Sequence, residues 1–177
     1  MASSGALSPT DTAHSVLQTG EHHLYESLQL TFLKNVYGGM LLSSAGLLSL
    51  ILTTGSPSLT SSNPGIARLL QGFTFPFGLL LVYFIGAELF TGYPMWYTMT
   101  ALERKGRPTQ YVKGAVASWI GNLVGTVAFA GLFTVATEVV GEEPFVSGIR
   151  EMIVDDVVEM KWHVIFLRGI LCGFLVS

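Results

Sequence analysis

Three stretches without a single Asp, Glu, Lys or Arg dominate this chain: Asn35 to Ala67, Leu69 to Ala87 and Gly114 to Thr137. A bilayer's hydrocarbon core is about 30 Å thick and takes roughly 20 helical residues to cross. In lipid a lone span must satisfy its backbone hydrogen bonds internally, so it must be helical. These stretches predict helices over about Thr31–Leu52, Pro64–Gly86 and Ala115–Ala136. A fourth apolar run begins at Trp162 and continues to Ser177. Of the 177 residues only 12% are charged and 50% are apolar, which argues against a soluble enzyme and against a disordered segment. Net charge −3 with no basic stripe argues against nucleic-acid binding. The single cysteine, Cys172, excludes a disulfide framework and a Cys-rich zinc site. No metal or cofactor is expected. The fold class expected is an all-α membrane protein, with a segment 1–30 preceding a transmembrane domain 31–177.

Charge placement sets orientation. Arg104, Arg107, Lys105 and Lys113 cluster between the second and third spans. Lys and Arg mark cytoplasmic loops, so this loop and the N-terminus are expected inside. The acidic loop, with Glu138, Glu142, Glu143, Glu151, Asp155, Asp156 and Glu159, is then outside. Residues 1–30 lack the apolar core of a signal peptide. Within Thr10 to Leu30, apolar residues at helical spacing fit either a helix on the membrane surface or a partly ordered tail. The pair His22-His23 is expected to be solvated there rather than to bind metal.

The second span has a proline at its first helical position, Pro64, with Asn63 placed to cap it. Pro76 inside the same span removes a backbone hydrogen bond and predicts a kink. Downstream, Gly86-Ala87-Glu88-Leu89-Phe90-Thr91-Gly92-Tyr93-Pro94 is rich in helix breakers and holds one acid. The run from Pro64 to Leu102 is too long for one crossing, so a helix broken near Gly86 and resumed after Pro94 is expected. Broken backbone at membrane depth survives only under protein or beside water, and interrupted helices mark transport sites. Glu88 has two readings: a functional ionisable group, or a carboxylate that caps the second half-helix. In the third span, Ser118, Gly121 and Gly125 suit close helix packing.

The segment Gly86-Ala-Glu-Leu-Phe-Thr-Gly92 resembles the signature of the formate/nitrite transporter family. Ser8-Pro9-Thr10 through Gly20, Ser118-Trp119-Ile-Gly121-Asn122-Leu-Val-Gly125 and Leu167-Arg168-Gly169-Ile170-Leu171-Cys172 resemble further family segments in order. The resemblance implies an aquaporin-like bundle with a broken second helix, assembled as a homopentamer with one pore per protomer. It implies passage of small monovalent anions such as formate, nitrite and short-chain carboxylates, linked to protons, across the plasma membrane. Carried over by position, Phe75 belongs to an outer constriction. Leu79, Leu89, Phe90 and Thr91 line the inner constriction and the site between, and Gly86, Glu88 and Gly92 organise the loop. Apolar rings there reject bare ions, since burying a small carboxylate costs on the order of 20 kcal/mol by an idealised Born estimate.

This chain departs from the family in its second half, which is incomplete. Family members continue with two more helices, one carrying a proton-relay histidine, whereas this chain reaches only the fourth helix. His14, His22, His23 and His163 are not placed to replace that relay. Gly173 stands where the family has Asn. Lys161 is the candidate for the family's outer, anion-attracting lysine, although the family spacing counts back to Val157. An alternative reading is therefore a truncated, non-transporting subunit that associates with full-length members. The loop Glu88 to Gly92 is expected to lose the cover that the second half supplies, leaving unpaired polar groups.

Overall fold

The computed structural model describes residues 7–154 and 158–176. Asp155, Asp156, Val157 and Ser177 lie outside the described residues. Among those described, the regular elements are all helical. In order they are α1 (Pro9–Tyr25), α2 (Leu28–Thr54), α3 (Pro57–Ser62), α4 (Pro64–Thr74) and α5 (Pro76–Ile85). A 3-10 turn (Phe90–Gly92), α6 (Tyr93–Leu102), α7 (Pro108–Phe129), a π turn (Ala130–Val135), α8 (Phe145–Ile153) and α9 (Trp162–Val176) follow. Three stretches are long and apolar enough to cross a membrane: Leu28–Thr54, Pro64–Ile85 and Pro108–Val135.

Local chemistry accounts for the helix boundaries. The Ser8 hydroxyl accepts the Asp11 N–H at 3.1 Å and opens α1 with Pro9 behind it. Ser27 does the same for α2, accepting from Leu30 N–H at 3.3 Å, so α2 begins ahead of the expected Thr31. Pro108 opens α7, and the Arg107 N–H donates to Gln110 Oε1 at 2.8 Å. The third span therefore starts seven residues before Ala115, because amphiphilic residues of its first turns extend beyond the uncharged core. Asn63 does not cap α4 through its side chain. Its amide donates to Ser62 Oγ at 3.2 Å, while its carbonyl accepts from the N–H groups of Ile66 and Ala67.

Pro76 separates α4 from α5, yet Phe75 keeps helical angles of φ −58° and ψ −41°. The ladder is interrupted at Pro76 while the backbone stays helical through Phe75. The span ends where Gly86 takes φ +74°, a left-handed conformation that costs a residue with a Cβ about 1–2 kcal/mol.

The packing is that of a membrane protein rather than a soluble one. Interior positions are small or polar: Asn35, Thr31, Thr100 and Ser118 are among the most buried side chains, while Phe73, Tyr83 and Phe84 face outward. Lipid supplies no hydrophobic drive between helices, so close approach and hydrogen bonds hold them together. The main pairing is α2 on α7. A Cβ at Gly39 would run into the Asn122 backbone, and one at Gly121 would sit 2.7 Å from the Phe32 carbonyl. At Gly125 it would meet the Val36 carbonyl. The small residues of the third span thus admit the α2 backbone.

The N-terminal segment is a docked helix, not a tail. Leu24 of α1 joins Tyr93 and Tyr97 of α6 in a buried cluster flanked by Trp96, Tyr111 and Ala115. Gln110 Nε2 donates to the Leu24 carbonyl at 3.2 Å, and Lys105 pairs with Glu21. His23 is buried at 7% exposure and stacks on Trp96 at 4.3 Å between ring centroids. This overturns the expectation of a solvated His22-His23 pair; only His22 is exposed. The reason is helical phase: His23 falls beside Gly20 and Leu24, the face that meets α6.

Candidate functional site

The break between α5 and α6 is tied to both α2 and α7. After Gly86, Glu88 runs alongside α2, and its N–H donates to the Lys34 carbonyl at 3.3 Å. Gly38 makes this approach possible, since a Cβ there would collide with the Glu88 carbonyl. From the other side, Asn122 of α7 holds the loop with one amide. Its Oδ1 accepts the Phe90 N–H at 2.7 Å. Its Nδ2 donates to the Asn35 carbonyl at 2.6 Å and to the Glu88 carbonyl at 3.2 Å. The Glu88 N–H and carbonyl and the Phe90 N–H are therefore paired by α2 and α7, where unpaired polar groups were expected in this loop.

A second layer fixes the side chains. Asn35 is fully buried. Its amide donates to the Thr31 carbonyl at 2.8 Å and to the Tyr93 hydroxyl at 3.3 Å, and its Oδ1 accepts from Ser118 Oγ at 2.6 Å. The Tyr93 hydroxyl donates to Glu88 Oε2 at 2.5 Å. Lys34 Nζ donates to Glu88 Oε1 at 2.9 Å and to Glu26 Oε1 at 2.5 Å. Glu26 Oε2 accepts from Thr31 Oγ1 at 3.2 Å.

Glu88 is thus paired on both carboxylate oxygens. It is 7% exposed and shares the Lys34 ammonium with Glu26. An unpaired carboxylate at this burial would cost several kcal/mol, and the Lys34 ammonium and the Tyr93 hydroxyl offset part of that cost. Nor does the carboxylate cap the second half-helix, because Asn122 meets the Phe90 N–H and Glu88 turns to Lys34 and Tyr93.

His23 faces the same cluster, with Nδ1 3.8 Å from Glu26 Oε2 and 3.7 Å from Glu88 Oε1, too far for hydrogen bonds. Burial lowers its pKa despite the two carboxylates, so it is neutral near pH 7. At Glu26, burial works to raise the pKa, but the bonded Lys34 ammonium and the Thr31 hydroxyl win and hold the carboxyl below its ordinary range. His23, Glu26 and Glu88 form a group with metal-ligand spacing, but the Lys34 ammonium already sits on both carboxylates.

The remaining positions singled out from sequence distribute as follows. Leu89, Phe90, Thr91 and Gly92 are half-buried along the break; Phe75 is 41% exposed at the α4–α5 junction, and Leu79 is half-buried on α5. Lys161 is exposed, and its carbonyl accepts from Val164 and Ile165 N–H at the start of α9. Sequence reasoning did not single out Lys34, Asn35 or Tyr93; it gave Ser118 a packing role only and Asn122 none. The signal was present: Asn35 and Asn122 are amides inside apolar spans, and Lys34 is the last charge before the first uncharged stretch.

A helix broken over Gly-Ala-Glu-Leu-Phe-Thr-Gly, pinned by an asparagine of the following span, can be compared with known proteins. The model of the family described as "Formate/nitrite transporter" matches residues 10–177. The chain belongs to the formate/nitrite transporter family.

Relatives include an uncharacterized transporter of Saccharomyces cerevisiae, 28% identical over 98% of this chain and 27% of its own length. A probable formate transporter of Methanothermobacter thermautotrophicus is 31% identical over 80% of this chain and 51% of its own length. A formate-nitrite transporter of Entamoeba histolytica is 31% identical over 98% of this chain and 48% of its own length. The chain spans about half the length, or less, of these curated relatives. Their names are those of transporters, not enzymes. The family and the apolar helices identify an integral, all-α membrane protein.

Proposed function

We propose that this chain builds part of a channel or transporter for small monovalent anions such as formate, nitrite and short-chain carboxylates, with flux linked to protons. The observation that carries the reading is the break at 86–92, held between α2 and α7 by Asn122 and Lys34. Non-helical backbone at span depth is tolerated where protein covers it or beside a water-filled pathway, and interrupted helices mark transport sites. In this reading Phe75 forms an outer constriction. Leu79, Leu89, Phe90 and Thr91 line the inner one, with Gly86, Glu88 and Gly92 setting the loop's path. A bare anion crossing apolar rings bears a desolvation cost that protonation removes, which couples passage to acid conditions. The Thr91 hydroxyl can bond the anion's oxygens. Assembly as a homopentamer in the plasma membrane, with the N-terminus cytoplasmic, completes the proposal.

The test is uptake of labelled formate and nitrite at acid and neutral pH in cells lacking their own anion carriers. Uptake above background, greater in acid and abolished by Leu89→Asp with insertion intact, is the expected result. Membrane-inserted protein with no uptake at either pH refutes the transport reading.

A further inference from the structure

At the end of α2 remote from Lys34, a cavity of about 830 Å³ opens between α2, α3, α4 and α8. Its walls carry hydroxyl and amide groups, among them Thr53, Thr60 and Gln71, together with one cation, Arg68, and one anion, Glu151. The Thr53 and Thr60 hydroxyl hydrogens are already used: Thr53 Oγ1 donates to the Ser49 and Leu50 carbonyls, and Thr60 Oγ1 to the Thr53 and Ser56 carbonyls. Gln71 Nε2 donates to Thr53 Oγ1 at 3.3 Å. The guanidinium of Arg68 is different. It is exposed, and among the described residues it makes no hydrogen bond or ion pair, not even with Glu151 across the same cavity. Its five N–H donors, in a fixed fork, have no protein partner among the described residues and line a concavity that also carries hydroxyl and amide groups.

Helical phase gives this cation a direction. Ala67, Gln71 and Gly78 turn toward α2: Ala67 is 4% exposed, Gln71 bonds Thr53, and a Cβ on Gly78 would sit 2.8 Å from that of Ala45. At about 100° per residue, Phe75 and Leu79 fall within about 20° of the line through Arg68, on the neighbouring face. Arg68 is then about 10 Å outward of Phe75 along the axis. Lys161 does not line this cavity.

We propose that Arg68, through this cavity, is the group that gathers small monovalent anions on the outer approach to Phe75. The inference rests on the transport reading above for its purpose, though the anion site itself can be detected without transport. A unit charge acting in water at about 4 Å is expected to raise local anion occupancy about fivefold. The effect is expected to fade near 1 M salt, where screening acts within about 3 Å.

Two measurements test it. In the first, the chain in nanodiscs is treated with phenylglyoxal, which modifies guanidinium groups, with and without formate, and each arginine is followed by mass spectrometry. Formate is expected to slow modification of Arg68 severalfold and to leave Arg104 and Arg107 of the basic loop unchanged. Equal or absent protection at all three overturns the proposal.

In the second, formate uptake is followed against external concentration. Arg68→Gln is expected to raise the half-saturating concentration about fivefold at low salt with the maximal rate unchanged, and Arg68→Lys to restore most of it. A purely structural role would not vanish with salt. Uptake by Arg68→Gln superimposable on the parent, while Leu89→Asp abolishes it, overturns this inference and leaves the transport reading standing. Selective protection of Arg68 without parental uptake does the reverse: the anion site stands and the transport reading falls.

Discussion

Replacing Asn122 by Leu removes three hydrogen bonds while nearly keeping the side chain's shape. The Phe90 N–H at 2.7 Å loses its acceptor, and the Asn35 and Glu88 carbonyls, at 2.6 and 3.2 Å, lose a donor. A buried polar group left without a partner costs about 1–3 kcal/mol. The amide bears this in full. The carbonyls bear less, because each has a second lone pair. The expected cost is about 2–4 kcal/mol, or roughly 30- to 1000-fold in the equilibrium that frees the loop. Hydrogen exchange in a nanodisc reads this directly: the peptide over residues 86–93 is expected to lose protection by that factor, while peptides from the middle of α2 change little. Asn122→Asp sharpens the test. It keeps an acceptor for Phe90 and has the same size, but it sets a carboxylate against two carbonyls. It is expected to be at least as damaging as Leu. If both variants keep parental protection over 86–93, the amide does not hold the loop and the account of the break is wrong.

Lys34→Met leaves the buried Glu26 and Glu88 carboxylates without their shared cation, an expected loss of about 3–5 kcal/mol. Adding Glu88→Gln is expected to recover part of it, as read by thermal unfolding in detergent. Gly86→Ala meets no neighbouring atom, so only its φ of +74° matters; a loss of about 1–2 kcal/mol is expected. Gly38→Ala instead meets the Glu88 carbonyl and is expected to cost about 1–3 kcal/mol by overpacking. The two variants are separated by loop exchange, which Gly38→Ala is expected to raise more. His23 has a folded pKa below the ordinary 6.5. Its contribution to stability is complete above pH 6.5 and is lost as pH falls toward the folded value, because the unfolded chain binds the proton first. His23→Phe is expected to flatten the stability profile just below pH 6.5; an unchanged slope there refutes the assignment.

The spans, the break and the interior small residues were legible because membrane thickness and the lack of water in lipid restrict sequences severely. Uncharged length gave the three long helices, and Gly86 marked the end of the second. Loop cover and docking were not legible. The expectation that the loop would be bare treated its amides as needing the second half, whereas Asn122 reaches it from the next span by one bidentate side chain. That contact depends on the α2–α7 crossing, which Gly39, Gly121 and Gly125 set and which spacing alone does not orient. His23 was missed for a related reason. A histidine pair in a polar segment reads as solvated until the helix phase places one ring on Trp96. The pairing of Glu88 was not legible because Lys34 lies 54 positions away in sequence.

The partners that pin the break also impose an order on biosynthesis. Lys34, Asn35 and Gly38 precede it, and Asn122 follows it by about thirty positions. Once α7 enters the bilayer, the growing chain holds the groups that were seen to clamp residues 88 to 90. A ribosome adding about 5–20 residues per second makes that interval a few seconds long. During those seconds the unpaired loop amides depend on water or on the insertion machinery. Slowing translation at any point between the emergence of residue 92 and the insertion of α7 would lengthen that exposure.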